Sequence, residues 1–386
     1  MKPVRRRAPS LLIRRLFVLV VFLATLLLVL LAASTEWLTS FGAPPEGPRL
    51  ERMQRNPRFF DGAFTNTRDV STMSGDGGGW ALLREYLSGD AQRSPGRPLP
   101  VVDPSGAWST PPESGLRVTW LGHSTTLIEI DGARILTDPM FSLRASPSTL
   151  VGPARFQPPP VAFSALPELH AVIISHDHYD HLDMATVRAL SAKGLPFYVP
   201  LGVGAHLEAW GVPAEQVVEL EWWQSAALSE LPIRLHATPA QHFSGRALHD
   251  DNVTLWSSWV LEGPTHRVFF SGDTGRAPEF PEVRERLGPF DLVMLEVGAF
   301  HRAWGAIHLG PEQAVDVHAE LGGGPLMPIH WGTFNLALHS WDEPLEVLLR
   351  IAEERELPLL TPRPGEALEP SRAPTAEAWW RDVTAR

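Results

Sequence analysis

The chain divides into three regimes of apolar and polar positions. The first is the run from Leu16 to Ala33, 18 uncharged apolar residues behind an arginine-rich flank. As a helix it would extend about 27 Å, close to the hydrocarbon thickness of a bilayer. No face of it is polar, which argues against a buried soluble helix. Its length favours an uncleaved membrane anchor; the small residues Ala32, Ala33 and Ser34 keep a cleaved signal peptide open as the alternative. The positive-inside rule then puts residues 1–15, with Arg5–Arg7, in the cytoplasm and everything after Ser34 outside.

The second regime, within residues 34–115, has no sustained periodicity. It is rich in Gly, Pro and Ser ("FGAPPEGPRL", "SPGRPLPVVDPSG") and reads as a linker and irregular extension, with one helix near Trp80–Leu87.

The third regime runs from 116 to 362, with a tail over 363–386. It opens with short β-rich runs, "RVTWL", "TTLIEI" and "ARILTD", the last two joined by Asp131-Gly132, a hairpin signal. A Pro-rich loop over Ser148–Val161 cannot be a central strand. Its Val151, Phe156 and Val161 offer apolar surface to flank a site, and a plain structural loop fits them equally well. Beyond it, strands alternate with helices: "AVIIS" before a helix near Met184–Lys193, and "FYVP" before one near Val203–Trp210. Then come "VVELEWW", "IRLHATP", "TLWSSWVLE", "RVFFSG" and "LVMLEV", a helix opened by Pro311, and "LMPIH". Strands first and mixed βα units afterwards predict two sheets between helix layers, an αββα sandwich in the α/β class.

Composition narrows the chemistry. There is no cysteine, so thiolate metal sites, disulfides and thiol nucleophiles are excluded. Net charge is −11; the first fifteen residues carry +6, leaving −17 for the remainder. That balance opposes a polyphosphate backbone and makes nucleic acid an unsuitable substrate. No G-x-S-x-G is present, against a serine lipase, and the Gly75–Gly79 run lacks the Lys-Ser/Thr of a phosphate loop.

The hydrophilic clusters share one topological position. His176, His178, Asp180 and His181 follow "AVIIS"; His242 ends "ATPAQH"; Asp273 ends "VFFSGD"; His330 ends "LMPIH". Each lies just past an apolar strand, where strand ends converge on one rim. Buried imidazoles and carboxylates there need partners, which divalent cations supply. The H-x-H-x-D-H spacing supports two metals, with room for a bridging hydroxide.

Together these motifs resemble the metallo-β-lactamase superfamily. More narrowly, "NPRFFDGAFTNT" (Asn56–Thr67), "TWLGHST", "ILTDPMF", "HDHYDHLD", "TPAQHFSGR", "FFSGDTG" and "HWGTFNLALHSWDEP" resemble the N-acyl-phosphatidylethanolamine-hydrolysing phospholipase D branch. The resemblance implies two zinc ions per chain, with Mn or Fe equally suited to His/Asp donors. His176, His178 and His242 would hold the first, Asp180, His181 and His330 the second, and Asp273 would bridge. It also places Tyr179 and His308 against substrate, with Asp273, Asp180 and His308 read as catalytic; the leaving group's proton would come from water or from a nearby group such as His308. Asp177, and His123 and Asp138 at strand ends, are read as supports; His123 and Asp138 are as readily purely structural. His301 and His339 read equally as rim or loop residues. His170, His206, His236, His249, His266 and His318 belong to no constellation.

The activity this predicts is phospholipase D-type cleavage of N-acyl-phosphatidylethanolamine or a related glycerophospholipid at the membrane. A lactonase or other small-ester hydrolase on the same fold is the alternative, and a non-catalytic binding protein a more distant one. Nothing in the sequence sets the oligomeric state.

Overall fold

A computed structural model describes residues 20–22, 25, 35–71, 78–373 and 376–384. Most of Leu16–Ala33 lies outside the described residues. Among those described, no helix is long and apolar enough to cross a membrane.

Two sheets face each other. After a hairpin of β1 (Phe59–Phe60) and β2 (Ala63–Phe64), the chain enters β3 (Leu116–Gly122), β4 (Thr125–Ile130), β5 (Ala133–Thr137), β6 (Ala171–Ile173), β7 (Phe197–Pro200) and β8 (Val217–Leu220). The second sheet comprises β9 (Ser225–Ala227), β10 (Arg234–Thr238), β11 (Ser258–Glu262), β12 (Arg267–Phe270), β13 (Leu292–Glu296) and β14 (Leu326–Ile329). Its order is β14-β13-β12-β11-β10-β9. The first sheet is ordered β15-β3-β4-β5-β6-β7-β8, where β15 is Ala367–Leu368.

Strand alternation explains the layering. In the first sheet Trp120, Ile128, Ile135, Ile173 and Tyr198 turn into the core between the sheets. Their neighbours Leu121, Leu127, Leu136, Val172 and Phe197 turn outward, onto a core that includes Val187 and Leu190 of helix Met184–Ser191 and Leu207 of helix Gly204–Ala209. Helices Phe280–Leu287, Gly310–Glu320 and Glu343–Arg355 add buried residues to the cluster that includes the second sheet. Asp183 caps the helix Met184–Ser191, accepting from Ala185 N–H and from Thr186 Oγ1.

Two regions differ from the sequence reading. Residues 34–115 are more than a linker with one helix: besides the helix Gly78–Ser88 they form the helix Gly47–Arg55, whose Pro48 suits a first turn. Arg49 clamps it down, bonding both carboxylate oxygens of Glu219 at 2.9 Å and Glu208 at 2.6 Å. Met53 and Phe64 are fully buried against Trp256 and Leu255. The expected C-terminal tail supplies β15, antiparallel to β3, and buries Trp379 and Trp380 in the main core.

Candidate metal centre

The strand ends bring the predicted donors together. His176 Nε2 is 2.9 Å from His178 Nδ1, and His242 Nε2 is 3.3 Å from the same atom. These three offer ligand atoms within 4.8 Å of one another. Beside them, Asp180 Oδ2 lies 3.4 Å from His181 Nε2 and 3.3 Å from His330 Nε2. Asp273 stands between the trios: its Oδ2 is 3.2 Å from His181 Nε2, 3.0 Å from His330 Nε2, 4.0 Å from His176 Nε2 and 3.9 Å from His242 Nε2.

Three of the imidazoles are aimed by their other nitrogen. His242 Nδ1 donates to Ile307 C=O at 2.9 Å, leaving Nε2 with a lone pair. His176 Nδ1 meets Ser175 Oγ, and His181 Nδ1 meets Asp138. Asn66 holds the backbone of His242 from both sides, donating Nδ2 to its C=O at 2.8 Å and accepting its N–H at 3.0 Å. His123 joins the second trio, its Nε2 2.9 Å from Asp180 Oδ2.

Three of these residues adopt left-handed backbone: φ is 55° at His123, 36° at Asp138 and 63° at His330. Such conformations cost about 1–3 kcal/mol each away from glycine, and persist where surrounding bonds dictate them. Here His330 N–H donates to His123 C=O, Trp120 Nε1 donates to the same carbonyl, and His123 N–H donates to Thr333 Oγ1.

The electrostatics suit cations. Burial, reinforced by neighbouring histidines, holds His176 and His242 well below the usual imidazole range, and burial also lowers His178. The first trio therefore presents neutral lone pairs. In the second trio burial opposes charge on His181 and His330, but Asp273 and Asp180 outweigh it; His330 is pushed up to about 10 and His181 well above its ordinary value. Without a cation, these carboxylates hold protons on the imidazoles, and a divalent ion would take the protons' place. Buried His181 Nε2 and Asp273 Oδ1 have no hydrogen-bond partner, a donor set that fits a bound metal.

A cavity of about 380 Å³ opens onto the centre, lined by His178, Asp180, Asp273, His308 and His330 on the polar side. Phe243, Ala299, Trp304, Ile307 and Leu336 form its apolar side. His308 lines it as expected, its Nδ1 2.7 Å from Glu296 Oε2. Burial lowers the affinity of His308 for a proton, yet Glu296 reverses the balance and raises it.

Tyr179 does not line this cavity. Its hydroxyl donates to Arg246 C=O at 2.8 Å, and the Arg246 guanidinium packs 4.0 Å from its ring, so it buttresses the loop after His242. Nor does the Pro-rich loop contribute: Val151 is exposed, Phe156 packs on the inter-sheet core and Val161 on the outer one. Asp177 turns away from the donors, toward His206, Thr254 and Gly245 N–H. His301 pairs with Glu85, and His339 stacks on Phe300. Sequence reading missed Glu296, which accepts from Thr274 N–H at 2.7 Å and orients His308. Its only signal was a carboxylate closing the apolar strand "LVMLE". Asn66 was likewise missed, although it lies within "NPRFFDGAFTNT".

Comparison with known proteins agrees with this geometry. Residues 133–331 match the Beta-lactamase superfamily domain. At the level of fold, the chain superposes on a metallo hydrolase, Igni18, from Ignicoccus hospitalis (TM-score 0.52, 21% identity, 66% of this chain and 97% of that one). It also superposes on isothiocyanate hydrolase from Delia radicum gut bacteria (TM-score 0.53, 21% identity, 66% and 98%). The chain belongs to the beta-lactamase superfamily, as a metallo-hydrolase. Within it, its homologues include N-acyl-phosphatidylethanolamine-hydrolyzing phospholipase D 1 of Caenorhabditis elegans, 38% identical over 255 residues, 63% of this chain and 72% of that protein. The mitochondrial enzyme of the same name from Saccharomyces cerevisiae is 35% identical over 246 residues, 61% and 51% respectively. An uncharacterized protein of Mycobacterium tuberculosis is 47% identical over 333 residues, 85% and 88%.

Proposed function

We propose that the chain is a two-metal phosphodiesterase that cleaves N-acyl-phosphatidylethanolamine or a related glycerophospholipid on the headgroup side of the phosphate. Phosphatidic acid and a free N-acylethanolamine or other alcohol would be the products. The observation that carries this reading is Asp273 Oδ2, set between two trios of donors at the floor of a half-apolar cavity. Homology to two phospholipases D of that specificity supports the substrate class.

In this reading His176, His178 and His242 would hold one ion, Asp180, His181 and His330 the other, and Asp273 would serve both; zinc is the expected metal, with Mn or Fe compatible. Bound there, paired cations supply Lewis acidity toward phosphoryl oxygens and lower the pKa of water toward neutrality. The chain's own residues do the rest. Phe243, Trp304, Ile307 and Leu336 exclude water and receive an acyl chain. His308, whose proton affinity Glu296 raises, stands at the cavity wall to give a proton to the departing alkoxide.

Hydrolysis in ¹⁸O-labelled water of a lipid panel by residues 40–386, read by mass spectrometry, tests the reading. Label is expected in the phosphate product; label in a carboxylate means ester or lactone hydrolysis and replaces it.

The apolar sequence Leu16–Ala33 supports anchoring at the membrane with the catalytic part outside. Protease added to intact spheroplasts should then remove the catalytic part. Protection until lysis reverses the orientation, and a mature protein starting near Thr35 makes the segment a signal.

A further inference from the structure

A second, much smaller cavity, about 20 Å³, also borders His330. Its walls include Arg93, His339 and Trp341. Of the ten buried side-chain nitrogens and oxygens without a hydrogen-bond partner among the described residues, four belong to these lining residues: Arg93 Nη1, His330 Nδ1, His339 Nε2 and Trp341 Nε1. Such atoms are rare in folded proteins, and their gathering at one cavity calls for a common partner.

The roles of the four atoms can be assigned. His330 directs Nε2 at Asp273 and Asp180, 3.0 and 3.3 Å away, so with Nε2 as the ligand atom the ring hydrogen sits on Nδ1. The nearby carboxylate oxygen Glu296 Oε2 is 3.9 Å from that nitrogen, beyond hydrogen-bond reach, and is taken by His308 at 2.7 Å. His339 donates Nδ1–H to Ser340 C=O at 2.8 Å, leaving Nε2 as an acceptor. Trp341 and Arg93 are donors only. Their strands of chain are fixed against each other: Trp341 N–H donates to Gln92 C=O at 3.0 Å, and Gln92 N–H to Ser340 Oγ at 3.2 Å.

We propose that one ordered water fills this cavity, accepting from His330 Nδ1–H and from Trp341 or Arg93, and donating to His339 Nε2. The volume suits a single water, which needs roughly 10–15 Å³ and two to four polar partners. Trp341, His339 and Arg93 are thereby positioning residues for His330, tying the segment around residue 93 to the metal centre through the 339–341 loop. This inference rests on the reading of His330 as a ligand of the second ion.

The test is cobalt titration of the chelator-stripped full chain, monitored by the visible spectrum of each site. In Trp341→Phe or in Arg93→Met, whichever residue supplies the water's second donor, the second ion should bind about 10–100-fold more weakly, the usual effect of losing an outer hydrogen-bond partner, while the first stays within about twofold. Equal weakening of both ions, or of neither, overturns the inference. If wild-type chain binds two ions and only this selectivity is missing, the metal reading stands alone; fewer than two ions in wild type overturns both. Should either variant fail to fold, a crystal structure of the wild-type chain decides. A water within hydrogen-bond distance of His330 Nδ1 is expected, and an empty cavity or a direct Nδ1–Glu296 bond overturns the proposal.

Discussion

Asp138 Oδ2 lies 2.7 Å from His181 Nδ1, and neither side chain is exposed. The same oxygen accepts from Ser175 Oγ at 2.6 Å, and Ser175 Oγ in turn is 2.9 Å from His176 Nδ1. One carboxylate thus orients a histidine in each donor trio, directly in one and through a hydroxyl in the other.

Replacing it should disturb both trios at once. Asp138→Ala leaves the amide and hydroxyl of Ser175 and the Nδ1–H of His181 without their acceptor, in a site closed to solvent. At about 1–3 kcal/mol per stranded group, partly relieved by relaxation, the expected loss of stability is about 2–4 kcal/mol. Metal affinity should fall about 10–100-fold at both sites. Urea unfolding of the chelated protein measures the first effect and chelator competition the second; unchanged affinity at either site refutes the relay.

Asp273→Ala removes the only carboxylate shared by the trios among the described residues. Elemental analysis of the purified variant should show less than one ion per chain, with hydrolytic activity reduced at least about 1,000-fold. Retention of two ions would mean that each trio holds its metal unaided.

The donor cluster was legible because its residues break the hydrophobic pattern. His176, His242, Asp273 and His330 each end an apolar run, where polar groups have no reason to be unless partnered. Glu296 occupies the same position at the end of β13 but is a single carboxylate with no neighbouring histidine in sequence, so periodicity alone absorbs it into the strand. The helix Gly47–Arg55 was hidden differently. Its prolines and glycines read as irregular chain, and Leu50 and Met53 are too few apolar positions to set a helical period; docking through Arg49 decides its fold. The direction of Tyr179 was not legible because position in a motif does not determine it: the cationic partner Arg246 comes from a loop 67 residues further along.

Asp177 gives the chain an acid-sensitive element separate from the cavity. Burial alone would raise its pKa, but the hydrogen bond and charge of His206, with Gly245 N–H, hold it well below the usual carboxylate range. A depressed folded value means that the stabilisation is fully present above the unfolded pKa of about 3.9 and is lost as pH falls toward the folded value. In chelated protein, Asp177→Asn should be less stable at pH 7. Its stability should also fall less steeply than wild type below pH 4, by up to about 1.4 kcal/mol per pH unit. Urea midpoints from pH 6 to pH 3 check this; parallel curves would place the titration elsewhere.

Asn66 reaches from the N-terminal segment to hold both backbone groups of His242, the donor that enters the first trio from the second sheet. Because it touches the main chain and not the imidazole, its effect should be on placement alone. Asn66→Ala should weaken the first ion about 10-fold and leave the second unaltered, since His181 and His330 are fixed by other partners. Asn66→Asp separates the two bonds. Its carboxylate still accepts from His242 N–H but sets an oxygen against His242 C=O, where a donor is needed, so it should weaken the first ion at least as much as alanine. Site-resolved cobalt titration of the two variants reads both effects, with the thermal midpoint of the chelated chain reporting any loss of fold. Full affinity in Asn66→Asp would show that the bond to His242 N–H alone positions the ligand, and weakening of both ions in Asn66→Ala would show that the N-terminal segment supports the whole centre.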